Sequence, residues 1–364
     1  MPNFQNKIEY PFIYYLRIFA CLCILVKHIA GSAVDYFWNP SIYDSFVRII
    51  LLSINNILWF AVNLFFMITG YIYLSDEKEC TYKTIFKNIV RLFLYLLIFG
   101  MLFSILLEVI GGRRLYSVND LVRLLHERPL SLDMFARSMK NVLAGRNQWG
   151  HMWFMYEIIK VYLILPILKS FTKENKYGIY ILTTMLIVFN YIFPELARYT
   201  GVQVYNFFPA GVYLLMVLLG GLLSKIIYKI RPMHQVISFI LFIIIISYYF
   251  YQNITNASVR IIGTSTPMTI ILAVLIFVSF AGIKTSNYFI ALISKATLLI
   301  YLLHPMVIHI FYGILKLNPL KYYMTLSIPL VTLLMFIATL LISIGIEFFI
   351  DGIQKLTSKV KYNG

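Results

Sequence analysis

An all-α, polytopic membrane helix bundle is the fold class this sequence predicts, on three observations. Hydrophobic residues make up 60% of the chain against 13% charged. The mean hydropathy is +0.81. The apolar residues fall into runs of about 20, the length at which a helix crosses the hydrocarbon core, and the loops between them carry most of the charge.

About ten spans follow in order, forming one transmembrane domain over 1–364. The first, 12–33, is rich in Ile and Leu and also holds Arg17 and His28. The second, 46–74, ends in an aromatic run, and 86–110 is a Leu/Phe stretch behind basic residues. Span 152–170 opens on Trp153; 177–195 and 205–224 flank a polar segment; 234–251 is dominated by Ile and Phe. The last three are 267–283, 290–313 with its His304-Pro305 pair, and 323–350. Function is therefore expected within the bundle or its loops.

The net charge of +16 reads as topology, not as a nucleic-acid surface, because the basic residues gather in alternate loops. Lys7; Lys78, Lys83, Lys87 and Arg91; Lys169, Lys173 and Lys176; Lys225, Lys229 and Arg231; Lys284; and Lys355, Lys359 and Lys361 would all be cytoplasmic, as would both termini. The expected location is a plasma or inner cell membrane, with membrane lipids as partners. The exception is a long outer loop, 111–151, which holds Arg113, Arg114, Arg123, Arg128, Arg137, Lys140 and Arg146. Long loops obey the charge rule less strictly and are often binding elements.

Cys21, Cys23 and Cys80 offer no disulfide framework, and no metal site is expected. The first apolar stretch lacks a small-residue cleavage site and is expected to stay in the protein. Asn253-Ile-Thr and Asn256-Ala-Ser match glycosylation sequons. Glu347, Asp351 and Lys355 follow at four-residue steps and read as a solvated ladder.

The main candidates for chemistry are Arg17 and His28. Eleven positions is close to three helical turns, which puts both side chains on one face, roughly 16.5 Å apart along the axis. Ionisable groups inside a membrane are costly and usually functional. His28 suits a general base or a nucleophile. Arg17 either snorkels to the interface or meets an anionic ligand with its planar fork. Lys83, Lys87 and Arg91 share a helix face and read as a topology anchor or a phosphate patch. Glu157 and Lys160 can pair within one helix. His151 and Trp153 stand at the start of the fourth span, and His304 precedes a helix-breaking proline.

Five segments together resemble the acyltransferase family 3 membrane enzymes, the group that contains bacterial surface-polysaccharide O-acetyltransferases. Leu16-Arg17-Ile18-Phe19-Ala20 through His28 is similar to the family's basic-x10-His pattern. Leu64-Phe65-Phe66-Met67-Ile68-Thr69-Gly70-Tyr71 is similar to its Phe-Phe-x-x-Ser-Gly-Tyr segment. Lys83-x3-Lys87-x3-Arg91 looks like its basic approach to the third helix. His151-Met152-Trp153-Phe154-Met155-Tyr156 with Tyr162-Leu163-Ile164-Leu165-Pro166, and Ile300-Tyr301-Leu302-Leu303-His304-Pro305, complete the set in family order. Three positions depart from the pattern: Tyr14 stands where many members have an acid, Thr69 replaces Ser, and Lys87 and Arg91 replace paired arginines.

The resemblance implies an O-acyltransferase that moves an acyl group, expected to be acetyl, from cytoplasmic acyl-CoA to a hydroxyl of a surface glycan or lipid-linked sugar. Acetyl-CoA would be a co-substrate, with no cofactor permanently bound. His28 and Arg17 would be catalytic; Arg17, Lys83, Lys87 and Arg91 would hold acyl-CoA; Thr69, His151, Trp153, Glu157 and His304 would line the site. Two other classes stay open on the residues alone: a transporter or flippase of a polar glycolipid or metabolite, and a membrane sensing or scaffold module.

Overall fold

The computed structural model describes residues 10–42, 44–110, 117–146, 150–175, 177–201, 211–321 and 324–362, with backbone alone at 198, 324–326, 351 and 353–362. Lys7, Arg113, Arg114 and Lys176 lie outside the described residues, as do the side chains of Asp351, Lys355, Lys359 and Lys361.

Helix α1, Pro11–Phe37, starts on a proline, whose missing N–H costs nothing in a first turn. The second span is broken into α2, Ser45–Ile57, and α3, Phe60–Leu74. Asp44 caps α2 by accepting from the Phe46 amide at 3.1 Å. At the break the backbone tightens by one residue: the Ala61 and Val62 amides donate to the Leu58 and Trp59 carbonyls at 3.1 and 3.2 Å. Helix α4 is Tyr82–Ile110, and two short helices follow, α5 (Val118–Glu127) and α6 (Leu132–Leu143). A 3-10 turn at Gly150–Met152 leads into α7, Trp153–Glu174. Helix α8, Gly178–Ile187, continues through a π turn into α9, Phe193–Thr200. Then come α10 (Gly211–Ile226), α11 (Pro232–Thr255), α12 (Pro267–Phe280), α13 (Tyr288–His309, ending in a π turn) and α14 (Met324–Tyr362). No strand occurs among the described residues.

Among the described residues, eight stretches are long and apolar enough to cross a membrane: Pro11–Phe37, Ser45–Leu74, Tyr82–Ile110, Gly178–Ala197, Gly211–Lys229, Pro232–Thr255, Tyr288–Ile314 and Ser327–Ile350. The remaining two expected spans are helices of another kind. Helix α7 is 22 residues long but carries Glu157, Lys160, Lys169, Lys173 and Glu174, and α12 is apolar but has only 14 residues. The expected all-α polytopic bundle is the observed architecture.

Helix α3 is the axis of the core. All its residues except Phe65 and Ile72 are buried, as befits a helix that is apolar on every side. Helices α1, α7, α10 and α12 pack around it, and α13 and α14 close over the other side of α1. The α3–α10 contact is backbone to backbone. A Cβ on Gly70 would stand 1.8 Å from the Val217 carbonyl oxygen, and one on Gly220 would stand 1.9 Å from that of Met67. Small residues allow this approach between membrane helices, and here they act in both directions.

Within the expected outer loop 111–151, the described residues include two helices, α5 and α6. Ser117 and Ser131 cap α5 and α6, accepting from the amides of Asp120 and Met134 at 3.1 and 3.2 Å. Helix α6 lies against α4, with Val142 facing Gly100. Its arginines are largely engaged: Arg137 pairs with Glu108 at 2.6 Å, Arg128 donates to the Glu108 carbonyl at 2.8 Å, and Arg123 sits beside Asp120 and Glu127.

One further expectation is corrected. Glu347 is buried and paired with Lys295 of α13 at 2.8 Å, so it ties helices together and is not part of a solvated ladder. Asn253 is buried too; its amide donates to Ser53 of α2 at 2.9 Å and its oxygen accepts from the Arg260 amide at 3.0 Å.

Candidate active site

Pro305 organises one side of the site through the hydrogen bond it cannot make. A proline inside a helix leaves the carbonyl four residues earlier without its donor, and here that carbonyl belongs to Tyr301. His304 supplies the donor instead, Nδ1 to Tyr301 O at 2.6 Å. A carbonyl only accepts, so Nδ1 carries the proton and Nε2 is left as an acceptor. His304 is 1% exposed, and its Nε2 has no hydrogen-bond partner among the described residues.

Two more histidines converge on His304. The ring of His28, from α1, has its centre 4.9 Å away, and the ring of His151, from the 3-10 turn before α7, is 5.5 Å away. His151 is fixed twice to α13: its Nε2 meets the Leu302 carbonyl at 3.3 Å, and its own carbonyl accepts from the Tyr301 hydroxyl. Phe103 of α4 closes the group, ring centres 5.3 Å from His151. His28 differs from both neighbours. It is half-buried and makes no hydrogen bond among the described residues, so both its nitrogens are open to a ligand.

Lys27 joins this centre from α1. It is 4% exposed, donates to Asn55 Oδ1 of α2 at 3.2 Å, and lies 3.8 Å from the ring centre of Trp59 at the α2–α3 break. Trp59 in turn faces Trp153, ring centres 6.3 Å apart, and Trp153 packs on Tyr213. Lys27 is not among the residues that the motifs single out. The rule that singled out Arg17, that an ionisable side chain in an apolar span needs a reason, applies to Lys27 equally.

Arg17 occupies a second centre nearer the start of α1. Its charge and that of Arg91 from α4 both act on the hydroxyls of Tyr73 and Tyr162. The two tyrosine rings stand 5.4 Å apart, and Asn88 donates to Tyr73 at 2.7 Å. Helices α1, α3, α4 and α7 thus meet there. Lys83 and Lys87 are exposed on α4, about two turns and one turn before Arg91 respectively. Lys169 of α7 closes the end of α3, donating to the carbonyls of Leu74, at 3.5 Å, and Ser75, as cations do at helix C-termini.

The two centres gather most of the residues expected from sequence, and two stand apart. Thr69 is buried on α3 and bonds back to the Phe65 carbonyl at 2.9 Å. Glu157 is paired with Lys160 at 2.7 Å on α7. Among the described residues no group of histidine, cysteine and carboxylate side chains is arranged to hold a metal ion.

Comparison with known proteins agrees with the motifs. A model of the acyltransferase 3 family, described as an acyltransferase domain, matches residues 10–348. No curated protein and no solved structure matches the chain. The match runs from the residue before α1 to within α14 and takes in both centres, so the chain belongs to the acyltransferase 3 family and is a membrane acyltransferase.

Proposed function

We propose that this protein is an O-acyltransferase that takes an acetyl group from cytoplasmic acetyl-CoA and delivers it to a hydroxyl of a glycan or lipid-linked sugar on the opposite side of the membrane. The observation that carries the reading is the packing of His28, with no hydrogen bond of its own, against the ring of His304, whose Nε2 is an unpartnered acceptor. The sign of the loop charges supports a cytoplasmic location for the end bearing Tyr10 and both termini.

In this reading Lys83, Lys87 and Arg91 hold the phosphates of the nucleotide at the aqueous end. Arg17, beside Tyr73 and Tyr162, orients the pantetheine arm as it enters between helices. Three turns further along α1 the thioester meets His28. The nucleotide stays in water and avoids the cost of desolvating its charges. His28 takes the proton of the acceptor hydroxyl, whose oxygen bonds to the thioester carbonyl carbon. The carbon–sulfur bond then breaks, and the departing thiolate takes the proton from His28. His304, whose ring packs against that of His28 with centres 4.9 Å apart, positions the base. His151 and Trp153 wall the site, with Thr69 and Glu157 on the helices that frame it. The arginine-bearing segment 117–143 is the acceptor-side element.

The test is release of free CoA from radiolabelled acetyl-CoA by purified protein in the presence of acceptor glycan. Wild type turns over, and a monodisperse His28→Ala protein loses ~10²-fold or more in rate, the loss expected of a missing general base. Normal turnover in that variant overturns the role of His28, and no CoA release by wild type overturns the reaction.

A further inference from the structure

We infer that Lys27 is a catalytic residue whose ammonium receives the oxyanion formed when the thioester carbonyl is attacked. The inference rests on the acyl-transfer reading above. Attack by the hydroxyl oxygen moves the carbonyl π pair onto oxygen, and collapse of that tetrahedral species re-forms the carbonyl as the carbon–sulfur bond breaks. A fixed positive charge at the oxyanion stabilises the transition state more than the neutral thioester.

Lys27 lacks a counter-ion among the described residues. Other lysines beside acids in this bundle are paired: Lys295 with Glu347 at 2.8 Å and Lys160 with Glu157 at 2.7 Å. Lys27 is more buried than either, at 4% exposed, yet among the described residues it has no carboxylate partner. Its hydrogen bond there is to a neutral amide oxygen, Asn55 Oδ1 at 3.2 Å, and the face of Trp59 lies 3.8 Å away. An ammonium has three donors, so two remain. Burying a cation without an anion is expensive. The arrangement suits a charge whose partner arrives only during the reaction.

Position agrees with that role. Lys27 precedes His28 on α1, and the Trp59 ring over its ammonium faces Trp153, two residues after His151, with ring centres 6.3 Å apart. Asn55 on α2 and Trp59 in the α2–α3 break together hold the ammonium in place. A cation–π contact retains the positive charge while leaving N–H groups free.

Three variants test the assignment beside wild type and His28→Ala, each checked for monodispersity. Lys27→Met is expected to lose ~10²–10³-fold in kcat, the range for a missing oxyanion donor, with the KM for acetyl-CoA nearly unchanged. Lys27→Arg should recover part of the loss. Asn55→Asp keeps the size of the side chain and gives Lys27 a permanent carboxylate: kcat should fall ~10-fold or more while thermal stability holds or rises. A purely structural lysine would gain from that carboxylate with no loss of rate. Wild-type kcat in Lys27→Met or in Asn55→Asp overturns the inference and leaves the acyl-transfer reading standing. If Lys27→Met does not fold, Asn55→Asp decides alone. Absence of CoA release by wild type overturns both.

Discussion

His151 and Tyr301 hold each other through the backbone: the Tyr301 hydroxyl donates to the carbonyl of His151, and the ring of His151 meets the carbonyl of the residue after Tyr301 at 3.3 Å. The turn that begins α7 is thereby fastened to α13, next to the proline that frees a carbonyl for His304. Three histidines from distant parts of the chain are held at contact distance by this clamp and by the packing of α1 on α13.

His304→Ala should lower kcat ~10²-fold with little change in the KM for the acyl donor. A residue that positions the base should also alter the pH profile of kcat, which a mere packing defect would not. His304→Gln, which retains a hydrogen-bond acceptor, should recover part of the rate. Unchanged kcat and pH profile in His304→Ala would remove the positioning role.

Replacing Lys83, Lys87 and Arg91 together with Gln should raise the KM for acyl-CoA ~10-fold, from about 0.5 kcal/mol per exposed contact. The effect on kcat should be smaller, since these contacts are remote from the reacting carbonyl, and the difference should shrink at high salt. Arg17→Lys should be milder than Arg17→Ala, because a point charge keeps the attraction and loses the fork. A wild-type KM in the triple variant at low ionic strength would reduce the cluster to a topology anchor.

Gly70→Ala and Gly220→Ala should each abolish monodisperse protein or lower its melting temperature sharply. The added methyl meets backbone oxygen at 1.8 or 1.9 Å, beyond the ordinary cost of ~1–3 kcal/mol for overpacking. Gly345→Ala, where nothing lies within 4 Å, should be silent. A soluble, stable Gly70→Ala protein would mean that α3 and α10 separate without penalty.

Cys80, in the α3–α4 turn, should be slow to alkylate. Burial pushes its thiol up to about 11, with Lys169 and Lys78 acting weakly in the opposite direction. Because the thiolate is the reactive form, the rate with a maleimide should rise about tenfold per pH unit from pH 7 and level off only near pH 11. The measurement uses a Cys21→Ser, Cys23→Ser background. A plateau near pH 9 would mean that the turn is open to water.

The fold was legible wherever apolar length dominated, and less so where other rules competed. Helix α7 keeps five charged residues because its acid and one lysine pair and another lysine caps α3. Ser117 and Ser131 are ordinary helix caps, readable as such, but the surrounding polar composition reads as loop. His28, His151 and His304 were named as separate candidates; what brings them together is the packing of α1 and α13 and the clamp at Tyr301, which no local pattern encodes. The His304–Tyr301 bond could have been read directly, since proline at 305 leaves the carbonyl at 301 open. The Lys295–Glu347 pair could not, because it depends on how α13 meets α14.

The unbroken run of α1 from Pro11 to Phe37 makes that helix a ruler. Arg17 and His28 are held roughly 16.5 Å apart by eleven rises of a rigid rod, and no hinge within α1 shortens the interval. In the proposed reaction, a donor anchored at the arginine would reach His28 only if its arm covered that length. Short thioesters would be refused for want of reach, however reactive, and the enzyme would tell carriers apart by measuring them.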